Sequence, residues 1–214
     1  MQRRAFLTTL GLGAAAGSAA FADSFARPPN IKPSGSADLD RWKQALAGAR
    51  LYAITRLREY SAAGRFPRNH RIFGHVPTFI DAKKTPCAVG YLMQRSGHGA
   101  LAADIAARNN NVYIERIKDG PALEWILFSG LTQAECAQIQ PSYHWERPPI
   151  EPPPHPEPEP PPDQQRLRQH FARMQDQLLD NTTASLRDAM TKLEPLIAAG
   201  ASIDSLSRPE RVAR

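Results

Sequence analysis

The clearest hydrophobic pattern in the chain runs from residue 39 to residue 60, where apolar side chains recur at alternating intervals of three and four. This spacing places them on one face of a helix. Asp38 can cap the start of that helix, and Gly64 can close its end in the left-handed conformation. The stripe consists of Leu39, Trp42, Leu46, Ala49, Ala53, Leu57 and Tyr60. The pattern predicts a long amphipathic helix that packs on its neighbours.

No period is sustained between residues 65 and 84, although this segment is rich in large apolar side chains. A loop of about twenty residues is unusual inside a compact domain and is often functional. We expect its apolar side chains to pin it across the core. They are Phe66, Ile72, Phe73, Val76, Phe79 and Ile80.

Three or four short helices are predicted after this loop. Thr85 and Pro86 stand in the order of a helix cap followed by a proline at the first helical position. Residues 112–117 fit either a strand or a turn of helix, and the sequence does not decide between them. Residues 121–128 are apolar nearly all round, which predicts a helix in the centre of the domain.

The last of these helices is predicted from a capping box, in which Thr132 and Glu135 satisfy each other's backbone N–H groups. Leu131, before the cap, and Cys136, at the fourth helical position, are placed for a hydrophobic staple. That geometry points Cys136 inward. Together these patterns predict an all-α (mostly α) globular domain over residues 37–146.

A proline-rich segment follows, since ten of the sixteen residues in 147–162 are proline. Proline fixes φ and removes a hydrogen-bond donor, so this segment can form neither a helix interior nor a central strand. An extended polyproline II conformation is expected instead. We interpret residues 147–162 as a semi-rigid linker between the body and a tail.

The tail, residues 163–214, carries one amphipathic stripe at intervals of three and four, formed by Leu167, Phe171, Met174, Leu178, Ser185, Ala189, Leu193 and Leu196. Such a stripe has to be covered by the body, by a second copy of the chain or by another protein. Because a stiff linker disfavours immediate fold-back, we expect the 163–214 helix to form a homo-oligomer or to bind a protein partner.

Residues 1–22 contain a positive start at Arg3 and Arg4, a mildly apolar run and a small-x-small ending, which are the three parts of a cleavable signal peptide. The stretch RRAFL resembles the bacterial twin-arginine signal, although Gln2 and Thr8 depart from the residues that usually flank it. This resemblance covers only the signal and implies export of the folded protein to the periplasm or the medium. Residues 23–36 are expected to form a short flexible lead-in.

Cleavage would remove Arg3 and Arg4 and lower the formal net charge from +6 to +4. This charge is mild for the 192 residues that would remain, so it does not indicate nucleic-acid binding. No later stretch approaches the ~18 consecutive apolar residues of a spanning helix. We therefore expect no transmembrane anchor after cleavage.

The two cysteines, Cys87 and Cys136, admit two structural interpretations. An oxidising compartment outside the inner membrane would allow a disulfide between them. Alternatively they are two separate buried thiols, because free cysteine is among the residues most often found in cores. In both cases the sulfurs face the interior and perform no chemistry.

A sharper hypothesis makes Cys87 a nucleophile. With Thr85 as the cap, Cys87 would occupy the second helical position, where the helix dipole favours a thiolate. His75 or His98 could then act as the base and Asp81 could orient it. The spacing does not enforce this arrangement, so a cysteine-dependent hydrolase or transferase is the alternative function and not the leading one.

Arginine and histidine side chains could also form a binding site. Arg65, Arg68 and Arg71 could bind a carboxylate or a phosphate, including anionic envelope polymers, if they converge beside the loop. The histidines show no pair at i, i+4 and no Cys-x-x-Cys is present, so neither a metal site nor a cofactor is predicted. The leading expectation is an exported envelope protein that acts as a non-catalytic binding or interaction module.

Overall fold

The computed structural model describes residues 36–146 and 162–199 of the chain. The predicted signal peptide (1–22), the lead-in as far as residue 35 and the linker as far as residue 161 lie outside the described residues. Seven α-helices fall in the described ranges: α1 Ser36–Ala63, α2 Ala88–Arg95, α3 Gly99–Asn109, α4 Pro121–Phe128, α5 Gln133–Ile139, α6 Pro162–Asp180 and α7 Thr182–Ala198. The prediction of a mostly helical domain is confirmed.

Two short strands accompany the helices. β1 (His75–Val76) lies in the long loop after α1 and pairs antiparallel with β2 (Tyr143–His144), which follows α5. The ambiguous segment at 112–117 contains a short 3-10 helix, Ile114–Arg116. None of the helices within 36–146 and 162–199 combines the length and the apolar character that crossing a bilayer requires.

Helix α1 has the predicted amphipathic character. It begins at Ser36, two residues before the predicted cap Asp38, and Gly64 follows its last residue in the left-handed conformation at φ 63°. Most of the stripe is buried: Trp42, Leu46, Ala53, Leu57 and Tyr60. Leu39 is the exposed member, and a charged residue, Arg50, is buried beside the stripe.

The tail packs on the body. It forms two helices and not one, because the chain breaks at Asn181; α6 contacts α1 and α5, whereas α7 contacts α1 and α4. Leu167, Phe171 and Leu178 of α6 join the main core cluster. Leu193 and Ile197 of α7 bury Trp42 and Leu46 in a second cluster.

This docking bears on the prediction that residues 163–214 form a homo-oligomer or bind a partner, because the apolar stripe is already covered. Each buried side chain of this kind contributes about 1.5–3 kcal/mol, and the tail makes those contacts within its own chain. Tyr60 of α1, for example, meets the Phe171 ring edge-on, with the ring centroids 5.2 Å apart. A homo-oligomer or a protein partner bound through 163–214 stays a prediction, but the apolar stripe no longer requires one.

The most buried charge in the fold is Arg50, whose exposed fraction is 1%. Its guanidinium forms a bidentate ion pair with Glu135 of α5, with N–O distances of 2.7 and 3.0 Å. Three further N–H groups are accepted by the Gly130 carbonyl, the Leu178 carbonyl and the Thr182 hydroxyl. All five donors of the guanidinium are therefore used.

Glu135 is equally well satisfied. Its carboxylate accepts hydrogen bonds from Arg50, from the Ser185 hydroxyl at 2.6 Å and from the Thr132 backbone N–H at 2.8 Å. The last of these belongs to the predicted capping box, which is confirmed. Burial alone would raise the pKa of Glu135, but the bonds from Arg50, Ser185 and Thr132 lower it below its ordinary value. The carboxylate is thus ionised at neutral pH.

Gly130 is required where the α4–α5 turn meets α1. Its φ of 71° lies in the left-handed region, and a Cβ at this position would collide with the Leu46 carbonyl and with Arg50. The missing side chain lets the Gly130 carbonyl reach the guanidinium.

We predict that Glu135→Gln destabilises the protein by about 3–5 kcal/mol, because it leaves the buried Arg50 charge without a counterion. Glutamine keeps the side-chain volume and can still serve in a capping box, so the loss reports the ion pair rather than the cap. The free energy of unfolding from a denaturant titration measures the effect.

Asp104→Asn is the matched control, because the Asp104–Arg108 pair is exposed on α3. An exposed pair of this kind contributes about 0–1 kcal/mol. A Glu135→Gln loss no larger than that of the control would contradict the role given to the buried pair.

The expectation that the apolar side chains pin the 65–84 loop is only partly correct. Phe79 is fully buried and Phe66 packs against the core. Ile72 and Phe73 are exposed, Phe73 at 86%, and the Phe73 ring contacts Trp145 instead. The buried Asn69 side chain holds this part of the loop, because its amide bonds the carbonyl and the N–H of Ile72.

Candidate functional site

Cys87 is the N-cap of α2, which begins one residue later at Ala88. The predicted order, with Thr85 as cap and Pro86 as the first helical residue, is therefore wrong. Pro86 instead forms an isolated bridge with Ile80, which keeps the chain extended up to the cap. The Cys87 sulfur accepts a hydrogen bond from the Gly90 backbone N–H at 3.4 Å.

Both cysteines are free and fully buried, so the disulfide between Cys87 and Cys136 is wrong. The two sulfurs lie apart, one at the start of α2 and the other on the inner face of α5. Each packs as a small apolar side chain in the main core cluster. The alternative of two separate interior thiols is confirmed.

The structure does not assemble the predicted nucleophile. Burial raises the pKa of the Cys87 thiol to about 12, which the hydrogen bond from the Gly90 backbone offsets only in part. The His98 Nδ1 lies 2.9 Å from the Ser96 carbonyl oxygen, and the His75 Nε2 lies 3.1 Å from the His144 Nδ1. Among the hydrogen bonds of the described residues, none joins Cys87 to either imidazole.

Asp81 has a backbone role. Its carboxylate accepts hydrogen bonds from the backbone N–H groups of Arg68, Lys83 and Thr85, at 2.8–3.2 Å. A side chain engaged in this way organises a turn. Asp81 therefore shapes the loop and does not orient a catalytic histidine.

We predict that neither thiol is alkylated by iodoacetamide in the folded, non-reduced protein near neutral pH, because both are buried and hardly ionised. Two labels should appear in denaturant without any reductant, as intact mass spectrometry would show. The Cys136→Ala variant assigns the label that remains to Cys87. Labelling that needs a reductant would restore the disulfide, and fast labelling of the native protein would restore the nucleophile.

A cavity of about 450 Å³ lies between the 68–84 loop and α3. Two of the three candidate arginines, Arg68 and Arg71, line it, whereas Arg65 does not. Lys84 adds a third cationic side chain. The apolar wall of the cavity includes Ile80 and three alanines of α3, Ala103, Ala106 and Ala107.

The cations of the cavity differ in how much of their charge is already paired. Arg68 lies 3.5 Å from the Glu146 carboxylate in a partly exposed ion pair. Arg71 is exposed and makes no ion pair or side-chain hydrogen bond within the described residues. Asp81, the acid in the lining, already accepts three backbone N–H groups. The charge available to a ligand is therefore positive.

Lys84 is held at the cavity by an unusual backbone. Its φ is 65°, a conformation that costs a side-chain-bearing residue of order 1–3 kcal/mol and is found mostly at functional sites. The Lys84 N–H donates to the Asp81 carbonyl at 3.0 Å, so the Asp81 turn imposes this conformation. The strained turn thus places Lys84 in the lining of the cavity.

Thr78 supplies an unpaired polar group in the lining. The residue is 5% exposed, and its buried hydroxyl has no hydrogen-bond partner in the described part of the chain. A buried hydroxyl without a partner costs about 1–3 kcal/mol.

Two asparagines hold the cavity together. The Asn110 side chain bonds both the N–H and the carbonyl of Ile80 at 2.8 Å, which ties the end of α3 to the loop. The Asn111 amide donates to the Pro77 carbonyl. The cavity walls are therefore fixed by hydrogen bonds before any ligand binds.

Comparison of the chain with protein families, with curated proteins and with solved structures gives no match. The function has to be inferred from the cavity itself. Sequence reasoning found Arg68 and Arg71 from their clustering, but it missed Thr78 and Lys84. The sequence analysis assigned Asp81 to orient a histidine base, whereas its carboxylate forms the turn that places Lys84 at the cavity.

Proposed function

We propose that this protein is an exported binding protein that takes a small organic anion into the cavity between the 68–84 loop and α3. The ligand is a carboxylate or a phosphate with an apolar part. The observation that carries this proposal is a cavity whose lining includes Arg71, an exposed cation that makes no ion pair within the described residues, together with Lys84 and an apolar wall.

The charge and shape of the cavity support this ligand class. Guanidinium groups bind carboxylates and phosphates through two parallel N–H bonds, and Arg71 has its N–H donors available. The alanines of α3 offer an apolar wall but no hydrogen-bond partner for a polar ligand body. Cavities that bind small molecules commonly combine such a wall with a few convergent polar groups.

The cysteine-dependent hydrolase or transferase lacks support by comparison. It requires an accessible thiolate, whereas burial raises the pKa of the Cys87 thiol to about 12. A non-catalytic binding role uses the groups that the cavity presents and requires no activated thiol.

Binding can be tested with two probes, inorganic phosphate and hexanoate, by calorimetry at low ionic strength. We expect Arg71→Gln to weaken binding about 10-fold or more, since a hydrogen bond to a charged group contributes about 1.5–3 kcal/mol. Tight hexanoate binding with weak phosphate binding would identify a carboxylate ligand, and the reverse a phosphate.

Two variants keep this test specific. Arg65→Gln is the matched control, because Arg65 is an exposed arginine of the same loop that does not line the cavity, and its affinity should equal that of the unmodified protein. Thr78→Val should leave the free protein equally or more stable, because it removes a buried hydroxyl that has no partner within the described residues. Its affinity for the probe should equal that of the unmodified protein, because the Thr78 oxygen presents no surface to the cavity. Equal losses in Arg65→Gln and Arg71→Gln, or no binding of either probe, would contradict the proposal.

The export step rests on the RRAFL motif at the N-terminus. We expect Arg3→Lys combined with Arg4→Lys to retain the full-length precursor in the cytoplasm, because the resemblance to a twin-arginine signal implies that both guanidinium groups are recognised. Cell fractionation and the mass of the recovered chain measure this. The control replaces Arg56 and Arg58 by lysine in the body; unimpaired export of the signal variant would refute the twin-arginine route.

A further inference from the structure

The two-stranded sheet brings two exposed histidines face to face. His75 of β1 and His144 of β2 are direct partners in the antiparallel register. The His75 Nε2 and the His144 Nδ1 are 3.1 Å apart. We propose that this pair binds a divalent transition-metal ion that prefers imidazole ligands, Cu²⁺ before Ni²⁺ or Zn²⁺.

The separation of the two nitrogens fits chelation. Metal–imidazole bonds are about 2.0–2.1 Å long. Two such ligands on one ion are therefore about 2.9 Å apart at a right angle and about 3.3 Å apart at a tetrahedral angle. The observed 3.1 Å lies between these two values, so the pair fits either geometry, and the preference for Cu²⁺ rests on the affinity order of nitrogen ligands.

The pair is held in place by the backbone around it. The Trp145 N–H donates to the Gly74 carbonyl at 2.9 Å and the Glu146 N–H donates to the Asn69 carbonyl at 2.8 Å, which extends the pairing beyond the strands. The buried Asn69 amide donates to the Ile72 carbonyl at 2.7 Å and accepts from the Ile72 backbone N–H at 3.1 Å. An ion would therefore meet two ligands whose backbone positions are already fixed, which lowers the entropy cost of binding.

The site would be open on its outer side. No group of three or more His, Cys, Asp or Glu side chains suited to a metal exists in the described ranges. Water or an external ligand would occupy the remaining coordination positions. The order of affinity for such a nitrogen site rises to Cu²⁺ along the first-row divalent metals and falls again at Zn²⁺.

Titration of the purified full chain with Cu²⁺, followed by tryptophan fluorescence, tests the proposal. Trp145 directly follows His144 in the chain, so a Cu²⁺ ion at the pair should quench its emission. Trp42 and Trp125 are buried elsewhere in the fold. We expect one equivalent of Cu²⁺ to bind with quenching, and the affinity to fall about 10-fold or more in both His75→Gln and His144→Gln.

His98→Gln and His155→Gln are the controls, and both should bind Cu²⁺ like the unmodified chain. Because His75 and His144 are exposed, the far-UV circular dichroism of all variants should be unchanged. The electron paramagnetic resonance spectrum of the Cu²⁺ complex should show coupling to two imidazole nitrogens and lose one in each strand variant. Absence of binding, unchanged affinity in the strand variants, or an equal loss in a control would overturn the proposal.

Discussion

The buried ion pair of Arg50 and Glu135 determines how the helices come together. A charge at this depth is tolerated only when its counterion and its remaining hydrogen-bond partners are all in place. The partners come from three separated parts of the chain: Arg50 from α1, Glu135 and the Gly130 carbonyl from the α4–α5 region, and the Leu178 carbonyl and Ser185 from the tail. Undocking the tail would expose apolar surface and also withdraw hydrogen bonds from both buried charges. The tail is for this reason an integral part of the fold, although a proline-rich segment separates it from the body.

The fold could be predicted from the sequence wherever the signal is local. The amphipathic stripe of α1, the glycine that ends it and the Thr132–Glu135 capping box are all encoded within a few residues of one another. The second role of Glu135 could not be found in this way, because Arg50 lies 85 residues away and hydrophobic periodicity does not indicate which charge is buried. The packing of the tail on the body could not be predicted either, because it too depends on contacts between distant parts of the chain. An amphipathic stripe shows that a face must be covered, but not by which surface.

The candidate site shows the same division between local and distant information. The clustering of arginines in the sequence indicates Arg65, Arg68 and Arg71 alike. Only Arg68 and Arg71 line the cavity, because the path of the loop takes Arg65 away from it. The sequence could not show that the Thr78 hydroxyl lacks a hydrogen-bond partner within the described residues, because this depends on the atoms that the fold places around it. The i, i+4 spacing of metal-binding histidines on a helix does not indicate the His75–His144 pair, because the sheet joins these residues across 69 positions. The sequence correctly predicts a helix start near Cys87. In the structure Cys87 itself is the N-cap and is completely buried, so it is a core side chain and not an exposed nucleophile.

The long loop after α1 follows a different physical rule from the rest of the domain. Phe79 anchors it in the core, but two of its large apolar side chains, Ile72 and Phe73, are exposed, so hydrophobic burial alone does not fix its path. Two buried polar side chains do so by bonding backbone groups: Asp81 forms the turn that presents Lys84, and Asn69 forms the turn that leads to β1. Backbone groups satisfied in this way allow a loop to stay ordered while its outer side chains remain available to a ligand. The proposed anion cavity and the histidine pair therefore both depend on the internal hydrogen bonds of the same loop.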